Sequence, residues 1–429
     1  MNKKHFPARS IDSYFVRNTI GLSSTEFFWG LAMPVLFESA FLQIFLKQIG
    51  ASNRTVGLVP SILATGIMLF SIVSAWLTSH LIHKRRAVIL AHIASSIPFM
   101  LFGIALPFIP SSHRIGIFIS AYVMFAFAMG ITLPLWQNFI VKIFSPGNTL
   151  KANSIMMTSQ IFARLIGSFF IFKSVEKYSF SIESASFIFI TVGIMFFSGS
   201  FFFLVVHEPS GDITDARLKH HNLKTLTAAA GHIFRNKNYL RYLAGTTESF
   251  ATVAVLSFYA NYAVEFKGIP KEIAAGLFVA CIYTAGVLTN ILLGWLNIFV
   301  LKTKFLIARG AAVTGTVILI FSSTLPYFLL VSFILGISRA VNQSANAPAV
   351  KLLSGLDDAT DYFAISAIII FPLSFSIPVV SGIIIDALST HGSFSYITVF
   401  ITLAALQTAG LIFTIFTDFK PEFNKDDKA

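Results

Sequence analysis

Glu38, Glu248, Arg164 and Arg339 each stand inside a run of residues that is otherwise strongly apolar. A charged side chain near the centre of a bilayer costs about 2.5–3.5 kcal/mol on insertion scales, so it faces a partner or a watery cavity. Glu38 lies four residues after Pro34, which withdraws one backbone hydrogen bond and can kink a helix beside the carboxylate. A desolvated carboxylate there can take up and release a proton, or it can simply bridge helices. Glu248 shares a helical stripe with Thr252 and Tyr259, at spacings of 4 and 7 residues. Arg339 is always charged and offers a rigid donor fork: it either binds an anionic group of a solute or is neutralised by Glu38 or Glu248. Arg164 favours a structural or gating ion pair. Gln137, Asn138, Asn261, Asn342 and Gln343 add neutral donors and acceptors for a solute, and Asn290 adds another at a helix interface; polar groups of this kind also glue helices together. His92 reads as a packing histidine.

The elements that must hold these groups are membrane-crossing helices. Of 429 residues 55% are hydrophobic and only 12% charged, against about 25% charged in a soluble domain. A helix needs roughly 20 mostly apolar residues to cross a bilayer. Twelve such runs fall at about 25–47, 56–78, 87–109, 115–141, 152–172, 183–206, 240–265, 272–296, 305–324, 326–348, 362–386 and 395–417. The polar stretch before Pro326 places a turn between the ninth and tenth. The 47 phenylalanines read mostly as lipid-facing bulk.

Lys and Arg accumulate in short loops that stay in the cytoplasm. With both termini inside, 21 of the 31 positive residues fall on inner segments, 7 on outer ones and three within spans. The cluster His83, Lys84, Arg85 and Arg86 is therefore a topology anchor after the second span, and a candidate gating element. The longest polar stretch separates six spans from six. The resulting division is a cytoplasmic segment 1–24, a six-helix bundle 25–206, a linker 207–239, a second bundle 240–417 and a cytoplasmic tail 418–429. Within the linker, Leu218, Leu223, Leu226, Ile233 and Phe234 suggest a surface helix.

The single cysteine, Cys281, excludes an internal disulfide and a cysteine-based zinc site. Scattered histidines argue against a metal-dependent membrane enzyme, and the absence of a P-loop pattern leaves an ATP-driven pump unsupported. No signal for a cleaved leader is present. The net charge of +12 sits between apolar runs rather than on one face, which argues against nucleic acid.

Two internal matches indicate duplication. AWLTSHLIHKR (75–85) aligns with GWLNIFVLKTK (294–304), which sets Lys302 and Lys304 opposite His83 and Arg85. GITLPLWQ (130–137) aligns with GISRAVNQ (336–343). Each pair occupies equivalent spans of the two halves.

With these motifs and the 6+6 layout, the chain resembles the major facilitator superfamily over roughly residues 24–417. The loop signature of that family, Gly-x-Leu-x-Asp-Arg-x-Gly-Arg-Lys, survives as its leucine and basic end, without its glycines and aspartate. PVVSGIIIDALSTHG (378–392) is similar to the family's span 11 ending, whereas the span 5 motif of drug/proton antiporters is missing from SQIFARLIGSFFIF (159–172). The resemblance implies an all-α polytopic fold of twelve helices in two bundles, with spans 1, 4, 7 and 10 around a central cavity and Arg164 on an interface helix. It also makes an aspartate-based cytoplasmic latch doubtful, though the loop cations can still cap helix carboxyl ends. The expected function is secondary active transport of a small solute by alternating access, with a lean to an organic anion or zwitterion. A proton gradient is the expected driving force and no cofactor is expected. Proton-driven efflux of hydrophobic compounds, lipid flipping, a transporter-like sensor or a membrane-embedded enzyme are the alternatives. The expected setting is the plasma (bacterial inner) membrane, with solute and lipid as partners and a monomer as the working unit.

Overall fold

The computed structural model describes residues 13–37, 39–78, 81, 83–209, 230–296, 298–355 and 360–419. Among them all regular structure is helical. The long helices are α1 (Phe15–Leu36), α2 (Ser39–Gln48), α3 (Asn53–Thr78), α4 (Arg85–Ala105), α5 (Arg114–Ile143), α6 (Pro146–Tyr178), α7 (Ile182–Ser200), α8 (Lys237–Gly245), α9 (Thr247–Lys267), α10 (Phe278–Thr289), α11 (Leu301–Phe321), α12 (Leu325–Ser354), α13 (Thr360–Ala387) and α14 (Phe394–Ile415). Single π-helical turns, Ile273–Leu277 and Asn290–Trp295, flank α10.

Among the described residues ten helical segments are long and apolar enough to cross a membrane, eleven if the bent pair α1–α2 counts as one span. The first expected span thus starts ten residues early, at Phe15, and is broken rather than continuous. The seventh, expected at 240–265, is interrupted at Thr246 between α8 and α9. At 21 residues α9 is about 31 Å long, but it is not among these apolar segments. Its ten consecutive residues Ala254–Ala263 are all buried, so neighbouring helices rather than lipid surround it. The turn expected before Pro326 is present: α11 ends at Phe321 and α12 starts at Leu325, with the proline in its first turn. Of the proposed surface helix, Leu218, Leu223 and Leu226 lie outside the described residues, Ile233 is buried and Phe234 exposed.

The chain falls into two compact units: residues 1–51, 62–219 and 271–280 in one, and 52–61, 220–270 and 281–429 in the other. In the first, Phe41, Phe45, Phe99, Phe102, Phe118, Phe125 and Phe189 are fully buried. Their rings meet edge to face at 5.1 Å (Phe45–Phe189) and 5.4 Å (Phe99–Phe125), geometry worth about 1 kcal/mol per pair beyond burial. Much of the phenylalanine is thus core, where lipid-facing bulk was expected. His92 is also core: its ring sits 4.6 Å from both Trp29 and Phe203, and Nδ1 lies 2.8 Å from the Val88 carbonyl.

The repeat GIT/GIS has a physical cause in each unit. A Cβ on Gly130 of α5 would lie 2.2 Å from the Gly66 carbonyl oxygen of α3. A Cβ on Gly336 of α12 would lie 2.5 Å from the Ile282 carbonyl oxygen of α10. In both halves the fourth span therefore crosses the second backbone against backbone, which only glycine permits.

Candidate functional site

Thr247 and Glu248 open α9, and the carboxylate is turned into the interior of the second unit with no exposed surface. Oε1 accepts hydrogen bonds from Thr252 Oγ1 at 2.9 Å, one turn further on, and from Ser338 Oγ of α12 at 2.8 Å. Oε2 accepts from Asn342 Nδ2 at 3.1 Å and from Ser249 Oγ at 3.4 Å. Ser338 and Asn342 stand one turn apart on α12 and so present one face to the carboxylate. Thr252 in turn accepts from Gln407 Nε2 of α14 at 3.0 Å.

The cation of this site is Arg309 of α11, not Arg339. Arg309 Nε lies 4.0 Å from Glu248 Oε2, and both side chains are wholly buried. Arg339 is half-buried; on α12 it stands about 100° round the helix from Ser338, which bonds Glu248. Arg309 donates from Nη1 to the Gly410 carbonyl at 3.5 Å and lies 5.2 Å from the Phe305 ring centroid. Among the described residues its Nε and Nη2 have no hydrogen-bond acceptor, and neither has Gln407 Oε1 or Thr316 Oγ1 a partner. Gly245 makes room for the guanidinium: a Cβ there would sit 2.4 Å from Nη1.

A buried guanidinium with two idle donors is an unfinished electrostatic arrangement. Thr252 and Ser338 carry hydroxyls that donate to a carboxylate and can equally accept from a carboxylic acid. The site can therefore hold Glu248 in either protonation state, while only the ionised form neutralises Arg309.

Glu38 lies outside the described residues. Tyr259 is buried and accepts from Ser332 Oγ at 3.3 Å, away from Glu248. Asn261 is buried, and its Nδ2 has no partner among the described residues. Gln137, Asn138 and Gln343 are exposed and are not among the groups bonded to Glu248. Asn290 is half-buried at the start of a π-turn. Among the described residues no group of three or more His, Cys, Asp or Glu could hold a metal ion.

Arg164 of α6 has a partner that sequence reasoning missed. It donates to Gln160 Oε1 and to Met33 Sδ at 2.9 Å, while Gln160 Nε2 donates to Glu26 of α1. Glu26 is buried. The signal was available: Thr25-Glu26-Phe27-Phe28 recurs as Thr247-Glu248-Ser249-Phe250, 222 residues on, close to the offsets of the other repeats. Each half thus opens with a buried carboxylate, one backed directly by an arginine and the other through a glutamine.

The basic loop is organised by a carboxylate from elsewhere. Glu208 accepts from the backbone N–H of Lys84 at 2.7 Å and of Arg85 at 3.0 Å, capping the start of α4, and pairs with Lys142 Nζ at 2.6 Å. Arg85 donates to the Val206 carbonyl, while His83 and Arg86 are exposed. Glu208 supplies a carboxylate beside a loop that lacks its own aspartate. Lys302 does cap a helix carboxyl end, that of α14, through the Ile415 carbonyl at 2.8 Å. Lys304 is half-buried in the first turn of α11.

Burial pushes the Glu208 carboxyl up, but the Lys142 ammonium and the two N–H groups outweigh it and hold it below the ordinary carboxylate range. Depression in the folded state means that the stabilisation is present above the unfolded value near 4.3 and is lost as the pH falls through the folded value. Glu208→Gln is expected to lower stability by about 2 kcal/mol at neutral pH and to flatten the acid limb of a thermal-unfolding profile. An unchanged acid limb would remove Glu208 from this role.

The sequence profile of the Major Facilitator Superfamily matches residues 20–369. No curated protein matches the sequence. Among solved structures the chain is similar to a mutant form of the nucleoside transporter NupG, at 11% identity and a TM-score of 0.72, covering 93% of this chain and 99% of that one. It is similar to an inward-facing, unoccupied bacterial homolog of the human lysosomal transporter Spinster, at 13% identity and 0.69, covering 96% and 97%. An auto-inhibited POT family peptide transporter matches at 14% identity and 0.65, covering 97% and 99%. At such identities the likeness is one of fold.

Proposed function

The chain belongs to the major facilitator superfamily of membrane transporters, and on that premise we propose that it moves a small organic anion or zwitterion by letting a proton compete with Arg309 for Glu248. The observation that carries this reading is Arg309, fully buried, with Glu248 4.0 Å away and no acceptor for Nε or Nη2 among the described residues. With Glu248 ionised the guanidinium is neutralised and has little need of another anion. Protonation of Glu248 leaves Arg309 as an uncompensated buried cation, and a solute carboxylate or phosphate then lowers its free energy. By linkage, the solute raises the affinity for the proton by the same factor. Protonation and loading thus bias the balance between access states through a differential affinity, as alternating access requires.

The nucleoside and peptide transporters among the fold relatives support a polar solute over a purely hydrophobic one. The excess of Lys and Arg on alternate loops supports cytoplasmic termini in a bacterial inner membrane, with the bilayer and the solute as partners, a monomer as the working unit and no cofactor beyond the proton gradient.

The test is an uptake screen in proteoliposomes, using organic anions, zwitterions and neutral controls with and without an imposed pH gradient. The expected result is gradient-dependent flux of an anion or zwitterion, reduced about 5- to 150-fold by Arg309→Met. Flux of neutral solutes alone, equal in Arg309→Met and the parent, would reject the assignment.

A further inference from the structure

The segment Thr417–Phe419, which follows α14, packs on α8 and α11 within the second compact unit. Asn238, in the first turn of α8, donates from Nδ2 to the Asp418 carbonyl and accepts from the Asp418 N–H on Oδ1 at 2.8 Å. A side-chain amide carries a donor and an acceptor side by side. It therefore fixes both backbone groups of one residue, as a neighbouring strand would. The first unit uses the same device. Asn18 of α1 donates from Nδ2 to the His207 carbonyl at 3.1 Å and accepts from the His207 N–H at 2.7 Å. Asn238 stands 220 residues after Asn18, and Asp418 211 after His207, close to the offsets of the other repeats. Each half thus clamps the residue that leaves its sixth span.

What the clamp presents differs between the halves. In the first the next residue is Glu208, which accepts from the N–H groups at the start of α4. In the second it is Phe419, whose ring stacks on Phe305 in the first turns of α11, with centroids 5.4 Å apart and planes within 21°. Phe305 lies 5.2 Å from the Arg309 guanidinium, and Arg309 meets Glu248. Tyr242 of α8 stands edge-on to both rings, 5.7 Å from Phe305 and 6.1 Å from Phe419. Phe305, Tyr242, Arg309 and Glu248 are each at most 1% exposed, whereas Phe419 is half-buried. Phe419 is therefore the outermost ring of a column that ends on the buried ion pair.

We infer that this segment is a seal: Asn238 seats Phe419 over Phe305 and so keeps water from the Arg309–Glu248 pair. Exclusion of water is what gives a buried pair its strength, and a guanidinium with idle N–H groups recruits water once a path is open. The segment is held by two amide hydrogen bonds and one ring stack, so it opens locally without unfolding the helices beneath it. The inference concerns access of water to the pair, and stands whether or not Glu248 takes up a proton during transport.

Thiol accessibility in the purified full-length protein tests it. Cys281→Ser removes the single cysteine. Thr414→Cys then places a thiol of similar size at a wholly buried position. That position adjoins the guanidinium: a Cβ on Gly245 would lie 2.4 Å from Arg309 Nη1 and 3.0 Å from Thr414 Oγ1. The rate at which a small charged methanethiosulfonate labels this thiol reads the local opening. Phe419→Ala is expected to speed labelling about tenfold, through the lost stack and its burial. Asn238→Ala, which frees the same ring without altering it, is expected to do the same. Phe416→Ala removes a ring that is 66% exposed three residues earlier, and is expected to leave the rate unchanged. An unchanged rate in Phe419→Ala or in Asn238→Ala overturns the inference, as does equal acceleration by Phe416→Ala. If Phe419→Ala does not fold, Asn238→Ala decides by the same measurement.

Discussion

Replacing Glu248 by alanine is expected to destabilise the folded protein by about 3–5 kcal/mol, the range found when one partner of a buried ion pair is removed. The effect comes from what is left behind. Arg309 would remain wholly buried with one long bond to the Gly410 carbonyl, the Phe305 ring as neighbour, and three hydroxyl or amide donors pointing into an emptied space. Glu248→Gln keeps an oxygen to accept from Thr252 and Ser338, and is expected to lose less. The double variant Glu248→Leu/Arg309→Met removes both charges and should recover most of the loss, since hydrophobic replacement of a buried pair is often neutral. Unfolding in detergent micelles, followed by helical circular dichroism, measures all three. A Glu248→Ala protein as stable as the parent would mean that the pair carries no electrostatic weight.

The second large effect is expected at the duplicated glycines. Gly130→Ala and Gly336→Ala each place a methyl within 2.2–2.5 Å of a backbone oxygen on the neighbouring helix. A backbone oxygen cannot rotate aside, so the helices must separate, at a cost of about 3 kcal/mol. Gly116 of α5 and Gly310 of α11 are matched controls, with nothing within 4 Å of the added carbon. Gly116→Ala and Gly310→Ala are expected to be neutral or to stabilise by up to about 1 kcal/mol, because alanine is the better helix former. Equal behaviour of all four variants would show that close approach does not hold the second and fourth spans of each half together.

The helical layout was legible because apolar runs of membrane length are hard to disguise, and the break before Pro326 was legible from its turn chemistry. Span 1 was misplaced because the segment before residue 25, though polar enough to look like a tail, belongs to the same helix and packs its Asn18 into the interior, as Glu26 does just beyond it. Glu248, Thr252 and Asn342 were legible as intramembrane polar groups. Their cation was not: Arg309 lies near the start of its span, where a snorkelling arginine is unremarkable, and only the fold aims it inward. Arg339 drew notice by its central position, but a position along a helix does not give its azimuth. Gln137, Asn138 and Gln343 fell to the same limit. Glu208 lies 122 residues from Arg86 and was invisible to a reading of local motifs, although the loop that lost its own acid was a sign that another residue would supply one.

The central claim is that a proton at Glu248 releases Arg309 for a solute. It is tested most directly by comparing two modes of transport in the same proteoliposomes, using a solute that the parent carries. Glu248→Gln mimics the protonated carboxyl permanently. It is expected to retain solute exchange between equal pools across the membrane and to lose accumulation driven by a pH gradient. Accumulation by Glu248→Gln equal to that of the parent would contradict the account.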